Sequence, residues 1–389
     1  MLQYEARGVS TRKPDVHEAL RGVDQGLYPG AFCKIIPDVL GNDPLYCFAL
    51  HADGAGTKSA VAYLHYLQYR DPRVFRGIAQ DSLVMNLDDL ICVGAVGDFV
   101  LSNTIGRNAK LVSGEIIREI IAGYEEYISK LATLGINIVS CGGETADIGD
   151  LVRTVVVDST LSARLARKDV IDCAKVQSGH VIVGFASFGQ ANYENAENSG
   201  IGTNGFTTAR HVLLSGRYKK EAPETFAGEI ADLAYQGRFE LGDNLTTTMT
   251  IGEALLSPTR SYAPILRCVL SEMRSGISAI FHNSGGGLSK CLRFGKGIHY
   301  IKDNLFPTPQ ILSLIRSEGS LSFSEMCTTF NMGHRLEIVC EESVAAGILA
   351  IAKSFAVGAR IVGHADSSQG PNRLSISHEG EVAEFLASD

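Results

Sequence analysis

The sequence contains no C-x-x-C pair, no run of lysine and arginine, and no apolar stretch approaching about 18 residues. Nine scattered cysteines without disulfide or zinc-site spacing predict reduced, mostly buried thiols and a cytoplasmic protein. The first seven residues do not read as a signal peptide. The lack of basic and apolar runs predicts no nucleic-acid partner and no membrane partner.

Composition indicates a globular chain with enough apolar material for two cores. The 389 residues favour two domains over one. The proportions of hydrophobic residues (45%) and charged residues (20%) are those of an ordinary folded protein. The formal net charge is −8. An acidic chain that binds an anion must do so locally, through loops, a metal ion and a few cations, so short motifs carry the prediction of a site.

The stretch on which the prediction depends most is residues 53–58, Asp-Gly-Ala-Gly-Thr-Lys. It follows an apolar run at 45–50 that is typical of a buried strand. Glycines let backbone N–H groups approach an anion, and Lys58 adds a positive charge. Asp53 would repel a polyphosphate by ~4 kcal/mol at ~4 Å and an effective dielectric of about 20, so it indicates a bridging Mg²⁺. A tight hairpin turn is the alternative interpretation.

A helix over residues 81–92 is predicted from its apolar spacing. Asn86, Asp88 and Asp89 lie on or beside its apolar face. These oxygens belong either to a solvated face or to a functional site, and the residues alone leave both interpretations open.

The third segment repeats the pattern of the first. An amphipathic helix over 113–134 ends at Gly135, and a strand at 136–140 follows. The strand is expected to run into a loop at 141–145, Cys-Gly-Gly-Glu-Thr. Two strands that each lead into glycines, an acid and a threonine are hard to attribute to chance.

The second half of the chain carries another glycine-rich connection. A domain boundary is predicted near residue 175. A strand at 276–281 leads to His-Asn-Ser-Gly-Gly-Gly at 282–287, and a helix is predicted from Leu288. Bare N–H groups at a helix N-terminus would bind an anion, whereas close packing of helix and strand is the structural alternative.

Taken in order, these motifs resemble the phosphoribosylformylglycinamidine cyclo-ligase family, also called AIR synthetase, over nearly the whole chain. The matching stretches are residues 53–58 (D-G-V-G-T-K in the family), 86–90 (M-x-x-N-D-L), 142–146 (G-G-E-T-A), 252–262 (L-G-E-x-L-L-x-P-T-R-x-Y), 282–288 (H-I-T-G-G-G-L) and 329–333 (T-F-N-M-G). The same superfamily includes FGAM synthetase, selenophosphate synthetase, thiamine monophosphate kinase and a hydrogenase maturation factor. The G-G-G-L and F-N-M-G forms favour the cyclo-ligase.

The chain departs from the family pattern near the expected substrate site. The family's H-S-N-G appears as Gly202-Thr203-Asn204-Gly205, after a longer loop at 189–202, so its histidine is missing. Asp88 stands in place of the family's asparagine. The family's G-[IV]-G-M appears as Gly-His-Arg-Leu at 333–336. These departures bear on substrate identity rather than on fold or nucleotide use.

The resemblance implies an α/β (α+β) fold of two domains. Residues 1–175 would form a mixed-sheet domain that binds ATP and Mg²⁺ and dimerises, and residues 176–389 an α/β domain that binds the substrate and phosphate. The implied reaction is ATP-dependent cyclisation of formylglycinamidine ribonucleotide (FGAM) to aminoimidazole ribonucleotide. The alternatives are a related ATP-dependent synthetase or kinase with another small substrate, and a non-catalytic nucleotide-binding paralogue.

The resemblance also implies roles for individual residues. The catalytic residues would be His282, Lys58 and Asp53. The nucleotide would contact Asp53, Gly54, Gly56, Thr57, Lys58, Asp89, Glu144 and Thr145, and the metal ligands would be Asp53, Asp89 and Glu144. The substrate would contact Thr203, Asn204, Gly205, Gly285, Gly286 and Gly287. The implied partner besides this small nucleotide substrate is a second copy of the chain.

Overall fold

The computed structural model describes residues 3–10 and 14–387. In that part of the chain, the strands form a five-stranded sheet, a seven-stranded sheet and a two-stranded ribbon. None of the described helices is long and apolar enough to cross a membrane.

The first sheet and its helices occupy the N-terminal part of the chain. Its elements are α1 (Pro14–Ala19), β1 (Ile35–Pro37), β2 (Tyr46–Gly54), α2 (Lys58–Tyr69), α3 (Phe75–Cys92), β3 (Asp98–Arg107), α4 (Gly114–Thr133), β4 (Asn137–Asp147) and β5 (Val155–Ala166). The strand order is β1-β2-β5-β3-β4, in which only β3 and β4 are parallel. A parallel pair needs a long crossover, and α4 provides it.

The two faces of this sheet differ in what covers them. On one face, alternate side chains such as Ala49 and Leu161 are buried in the same apolar cluster as α3 side chains such as Leu83. On the other face, the side chains of Leu50, Val100 and Val139 lie in one cross-strand row and remain exposed. We call this second surface the outer face.

The second sheet and its helices follow. The elements are β6 (Val181–Ala186), β7 (Phe188–Gly189), β8 (Asn198–Ser199), α5 (Phe206–Leu213), α6 (Gly216–Glu221), α7 (Ile251–Leu256), α8 (Ala263–Met273), β9 (Ile277–His282), β10 (Ile298–Lys302), α9 (Gln310–Gly319), α10 (Phe323–Thr329), β11 (His334–Cys340), α11 (Glu342–Ser354), β12 (Ala359–Ser367), β13 (Arg373–His378) and β14 (Glu381–Leu386). The sheet order is β14-β13-β10-β12-β6-β11-β9, and β7 and β8 form the ribbon. Short 3₁₀ helices occur between these elements, among them one at Gly287–Arg293.

The two sheets share one continuous hydrophobic cluster. Leu83 and Leu87 of α3 belong to the same group of buried side chains as Tyr262, Ile280 of β9 and Ile338 of β11. Helix α3 therefore packs against its own sheet and also against the second one.

The predicted mixed sheet followed by an α/β unit is confirmed, and several elements agree closely with the sequence. Helix α4 buries the predicted stripe that includes Ile116, Ile120 and Leu131, and Gly135 follows it in a left-handed conformation at φ 81°. The connection predicted at 141–145 is wrong, because β4 continues through these residues to Asp147. The division at residue 175 stays a prediction.

Candidate functional site

The connection between β2 and α2 presents Asp53 to solvent at the end of its strand. Asp53 accepts a hydrogen bond from the backbone N–H of Gly54 at 2.7 Å. Gly56 adopts φ 57°, and a side chain there would meet no atom within 4 Å. Thr57 Oγ1 lies 3.2 Å from Thr207 Oγ1, at the start of α5. This connection therefore lies against the second half of the molecule.

A side chain at position 54 would collide with Asp158, a residue that the sequence analysis did not single out. A Cβ at Gly54 would lie 1.7 Å from Asp158 Oδ1 of β5. Burial, and then the charge of Asp53, raise the pKa of Asp158. Restricted hydration likewise raises the pKa of Asp53, and the nearby charge of Asp89 raises it further. Negative charge is therefore concentrated where β2 ends.

Asp89 of α3 lies between two histidines from different sheets. His282 Nδ1, at the end of β9, is 2.6 Å from Asp89 Oδ1. His51 Nε2, on β2, is 3.0 Å from Asp89 Oδ2. His282 is fully buried, whereas the side chain of His51 is 22% exposed. One carboxylate thus joins the two halves of the molecule.

Asn86 presents an oxygen acceptor to His51. Its Nδ2 donates at 3.0–3.1 Å to three backbone oxygens, those of Asp53, Ser82 and Ser159. This orientation turns Asn86 Oδ1 toward His51 Nδ1 at 3.0 Å. Both ring nitrogens of His51 then face oxygen acceptors, an arrangement that favours the protonated ring.

The pKa values agree with this geometry. Burial lowers the pKa of His51, but the hydrogen bonds and charge of Asp89 outweigh it and leave the pKa raised. Burial would raise the pKa of Asp89, but hydrogen bonds from His282 and His51 hold it below its usual range. At His282, Nδ1–H donates to Asp89, and the buried Nε2 has no hydrogen-bond partner in the described structure.

Lys58 is not presented to solvent as the resemblance implies. Its ammonium is fully buried, 3.0 Å from Asp81 and 2.6 Å from the backbone oxygen of Ser257. Asp81 also accepts from the backbone N–H of Thr259 at 2.8 Å. Lys58 thus links α2 and α3 to residues 257–259, and its contact with phosphate stays a prediction.

Glu144 and Thr145 lie away from Asp53. Glu144 on β4 and Gly54 on β2 lie in the same cross-strand row of the first sheet. Between them in that row are Thr104 of β3 and Asp158 of β5. Three strand spacings of about 4.8 Å separate Glu144 from Gly54 by roughly 14 Å. The register of β4 also contains one extra residue between Ser140 and Gly143. Glu144 consequently lies on the outer face.

The magnesium site implied by the resemblance is not assembled within one chain. Both oxygens of Asp89 accept hydrogen bonds from histidines, and Glu144 lies across the sheet. Among residues 3–10 and 14–387, no group of three or more His, Cys, Asp or Glu side chains could hold a metal ion. Asp53, Asp89 and Glu144 do not fit a common ion here, because Asp53 and Glu144 are both exposed but lie apart on the first sheet.

The predicted substrate loops approach each other from the second sheet. Asn204 Oδ1 lies 3.9 Å from the position of a Cβ on Gly285. Thr203 Oγ1 lies 3.0 Å from Met85 Sδ of α3. Gly205 adopts φ 71°, and a Cβ there would lie 2.4 Å from the Phe330 ring. The 203–205 loop therefore contacts both α3 and the glycine-rich connection.

The helix predicted from Leu288 is a 3₁₀ helix, Gly287–Arg293. Gly286 adopts φ 96°, and a Cβ on Gly287 would lie 2.5 Å from the backbone oxygen of Cys327. Gly287 is thus required for close packing, which was the structural alternative. Gly285 retains open space beside it, and its backbone N–H remains the best candidate for a substrate contact.

Sequence reasoning missed several residues of this region. His51 could have been found, because it lies two residues before Asp53 on one strand and so on the same face. Asp81 and Asp158 gave no such signal, because their partners are distant in the sequence, and Arg335 was noted only as a departure from the family pattern. The structure places an exposed carboxylate at the end of β2, a buried histidine with a free Nε2 at the end of β9, and glycine-rich backbone beside both.

Several proteins of known name are similar in sequence. Phosphoribosylformylglycinamidine cyclo-ligase from Methanococcus vannielii is 28% identical over 327 residues, covering 83% of this chain and 79% of the relative. The protein of the same name from Shouchella clausii is 29% identical over 328 residues, covering 82% of this chain and 80% of the relative.

Solved structures share the fold at low sequence identity. A chain of the HypE–HypF complex has a TM-score of 0.55 at 13% identity, covering 96% of this chain and 98% of its own. Thiamine-monophosphate kinase from Stenotrophomonas maltophilia has a TM-score of 0.52 at 15% identity, covering 96% of this chain and 97% of the kinase chain. PurL from T. maritima, complexed with FGAR, has a TM-score of 0.53 at 14% identity. This chain is 88% covered by that match and spans 46% of the PurL chain.

Two family descriptions together account for most of the sequence. The N-terminal domain of AIR synthase related proteins matches residues 37–163, and the C-terminal domain matches residues 177–373. The two matches follow each other in the order of the two sheets. The chain belongs to the AIR synthase related protein family.

Proposed function

We propose that this chain catalyses the ATP-dependent ring closure of FGAM to aminoimidazole ribonucleotide, with release of ADP and phosphate. The observation that carries the proposal is the hydrogen bond between Asp89 and His282 across the two sheets, at 2.6 Å. Asp53 is exposed at the end of β2, and Asn204 lies beside Gly285. The relatives named phosphoribosylformylglycinamidine cyclo-ligase supply the substrate.

The formyl oxygen of FGAM is a poor leaving group, so it must be activated before the ring closes. Attack of that oxygen on the γ-phosphoryl group of ATP forms a phosphorylated intermediate and ADP. The amidine nitrogen then attacks the formyl carbon, loses a proton and expels phosphate. Catalysis of such a transfer consists mainly of positioning and charge stabilisation.

His282 is the proposed acceptor of the amidine proton. Asp89 binds its Nδ1–H at 2.6 Å, which leaves Nε2 as the nitrogen with a free lone pair in the neutral ring. Nε2 is buried and has no partner in the described structure, so no other protein group engages its lone pair. The hydrogen bond to Asp89 also stabilises the imidazolium that forms.

ATP is the proposed phosphoryl donor, accompanied by Mg²⁺. Asp53 is the carboxylate free to reach the ion, since its described hydrogen bond comes from the neighbouring N–H of Gly54. The ion would neutralise phosphate charge when bound. Gly56 and Thr57 offer open backbone beside it, and Glu144 and Thr145 stay proposed nucleotide contacts.

A homodimer is proposed from the outer face of the first sheet. Leu50, Val100 and Val139 form an apolar row there, at 55%, 47% and 52% exposure. Ser162 of β5 lies between Leu50 and Val100 in this row. Exposed apolar side chains on one sheet face indicate an interaction surface, and a two-fold axis lets one patch cover its own copy. A reducing cytoplasmic setting is also proposed, supported by nine free cysteines.

The test is turnover of FGAM labelled with ¹⁸O in the formyl group. We expect ADP release that depends on FGAM, with the label in the released phosphate. Label-free phosphate beside normal product would refute the mechanism. A second candidate, a related synthetase or kinase, is favoured by the glycine at position 202 and the arginine at 335. It predicts ATP use with another acceptor and none with FGAM.

A further inference from the structure

Three departures from the family pattern meet in space although they are far apart in the sequence. Gly202 stands where the family has the histidine of H-S-N-G. Arg335 stands where it has the second glycine of G-[IV]-G-M, and Asp88 where it has an asparagine. One position has thus lost a large polar side chain, another has gained one, and a third has gained a negative charge.

Arg335 and Asp88 form a buried ion pair between the two sheets. Arg335 Nη2 lies 3.2 Å from Asp88 Oδ2, and the two side chains are 3% and 0% exposed. Nη2 also donates to the backbone oxygen of Arg260. The guanidinium lies over the Tyr262 ring, 5.3 Å from its centroid.

The arginine lies beside the position of the missing histidine. Its Cδ is 3.6 Å from the point that a Cβ on Gly202 would occupy. A Cβ alone would make ordinary contact, but an imidazole extending from it would compete with the arginine for the same space. The loss at 202 and the gain at 335 are therefore linked by volume.

We propose that Arg335, which lies beside the position of the missing histidine, binds an anionic phosphate oxygen of the substrate, with Asp88 as its counter-ion. The loss of the histidine at 202, the gain of the arginine at 335 and the gain of its counter-ion at 88 are then one linked change. This inference rests on the proposed function for the identity of the substrate, but the chemistry of the site, a guanidinium for a phosphate, does not depend on it.

An unused donor points to such a ligand. Arg335 Nη1 is buried and has no hydrogen-bond partner in the described structure. A buried N–H group without a partner is unfavourable, and a guanidinium binds phosphate oxygens well. Asp88 does not satisfy this donor, since its Oδ2 faces Nη2 and its Oδ1 accepts from Ser261 Oγ at 2.7 Å and from the Tyr262 N–H. The available donor is therefore on Arg335.

The first experiment separates charge from packing. Arg335→Met keeps a long side chain but removes the guanidinium, and we expect the KM for FGAM to rise at least about tenfold, as the loss of one charge-assisted hydrogen bond would cause. The KM for ATP should change little. Arg335→Lys should recover part of the loss. Arg360→Met, the same change on β12 of the second sheet, is the matched control and should leave both constants unchanged.

The second experiment isolates the counter-ion. Asp88→Asn combined with Arg335→Met should restore the melting temperature that Arg335→Met alone loses, because it removes the unpaired buried charge. It should not restore the KM for FGAM. Recovery of both would mean that Arg335 acts only through packing, and the proposal would fall.

The third experiment reverses the exchange. Starting from Asp88→Asn with Arg335→Gly, the added change Gly202→His should lower the KM for FGAM again. Gly202 adopts φ 70°, a conformation that histidine tolerates better than most residues. Gly202→His alone should impair the protein, because Arg335 already fills the space. If Gly202→His alone behaved like the parent protein, a histidine at 202 and Arg335 would not compete for the same space, which would contradict the link between the two positions.

A probe that does not depend on FGAM separates this inference from the proposed function. Inorganic phosphate should raise the melting temperature of the parent protein, and the shift should be lost in Arg335→Met and retained in Arg360→Met. If FGAM is not turned over but this pattern holds, the cyclo-ligase assignment fails and the phosphate site stands. An equal shift in all three proteins would overturn the inference.

Discussion

Asp53 is the carboxylate whose removal should separate chemistry from folding. Its side chain is open to solvent and its described hydrogen bond is to the adjacent N–H of Gly54, so Asp53→Asn preserves shape and removes only charge. We expect the rate of ATP use to fall by roughly 100-fold, the usual effect of losing one electrostatic group at a phosphoryl-transfer site. The melting temperature should hardly change.

The control for Asp53 is Asp303→Asn, at an exposed position after β10. It should alter neither the rate of ADP release nor the melting temperature. If Asp53→Asn were as active as this control, Asp53 would have no part in nucleotide use.

His51 should make stability depend on pH in a direction fixed by its raised pKa. A raised histidine pKa stabilises the folded protein fully below the unfolded pKa of about 6.5, and the effect is lost as pH rises through the folded value. The melting temperature of the parent minus that of His51→Gln should therefore be larger at pH 5.5 than at pH 8.5.

His65 of α2 provides a comparison of opposite sign. Burial lowers its pKa, so protonation of the unfolded chain at low pH works against the folded state. The difference between the parent and His65→Gln should therefore grow as pH rises. If both histidines gave the same trend, the hydrogen bonds from His51 to Asp89 and Asn86 would not account for its behaviour.

At the scale of elements, Lys58 and Asp81 should hold α2, α3 and residues 257–259 together. Lys58→Met leaves a buried carboxylate without its partner, which destabilises a protein by about 3–5 kcal/mol. Lys58→Met with Asp81→Asn should recover most of that loss in urea unfolding. A variant that keeps its stability and loses only ATP binding would instead support the phosphate contact implied by the family.

How far the sequence could predict the molecule depends on the range of the interactions. Helix α4 was predictable because its apolar stripe and terminal Gly135 are local signals. The position of Glu144 was not, because one extra residue in β4 changes the face on which it lies. The burial of Lys58 was also beyond reach, because Asp81 and Ser257 become its neighbours only through the tertiary structure.

The site was predictable to the same extent. Asp53, Asp89, His282 and Asn204 were chosen from short motifs; the structure pairs Asp89 with His282, and the roles of all four stay predictions. The pairing of Asp89 with His51 and of Asp88 with Arg335 required the packing of α3 between the two sheets. Motif spacing carries no information about such contacts.

At the scale of the whole molecule, the outer face predicts a two-fold dimer. Sedimentation at micromolar concentration should give about twice the 41.7 kDa of one chain. Val100→Asp places a charge in the middle of the apolar row and should shift the protein toward monomer. Val382→Asp, at an exposed position on edge strand β14, is the control and should leave the mass unchanged. A monomer in the parent protein would contradict the dimer.

The hydrophobic cluster shared by the two sheets bears on how the chain is made. The inner surface of α3 packs against Tyr262, Ile280 and Ile338, so the first half cannot complete its core until the ribosome has released the second. At synthesis rates of 5–20 residues per second, the remaining half takes roughly 10–40 s to emerge. During that interval the nascent chain exposes an apolar surface of α3. We therefore expect chaperones to raise the yield of folded protein, and the two halves expressed as separate chains to fold poorly.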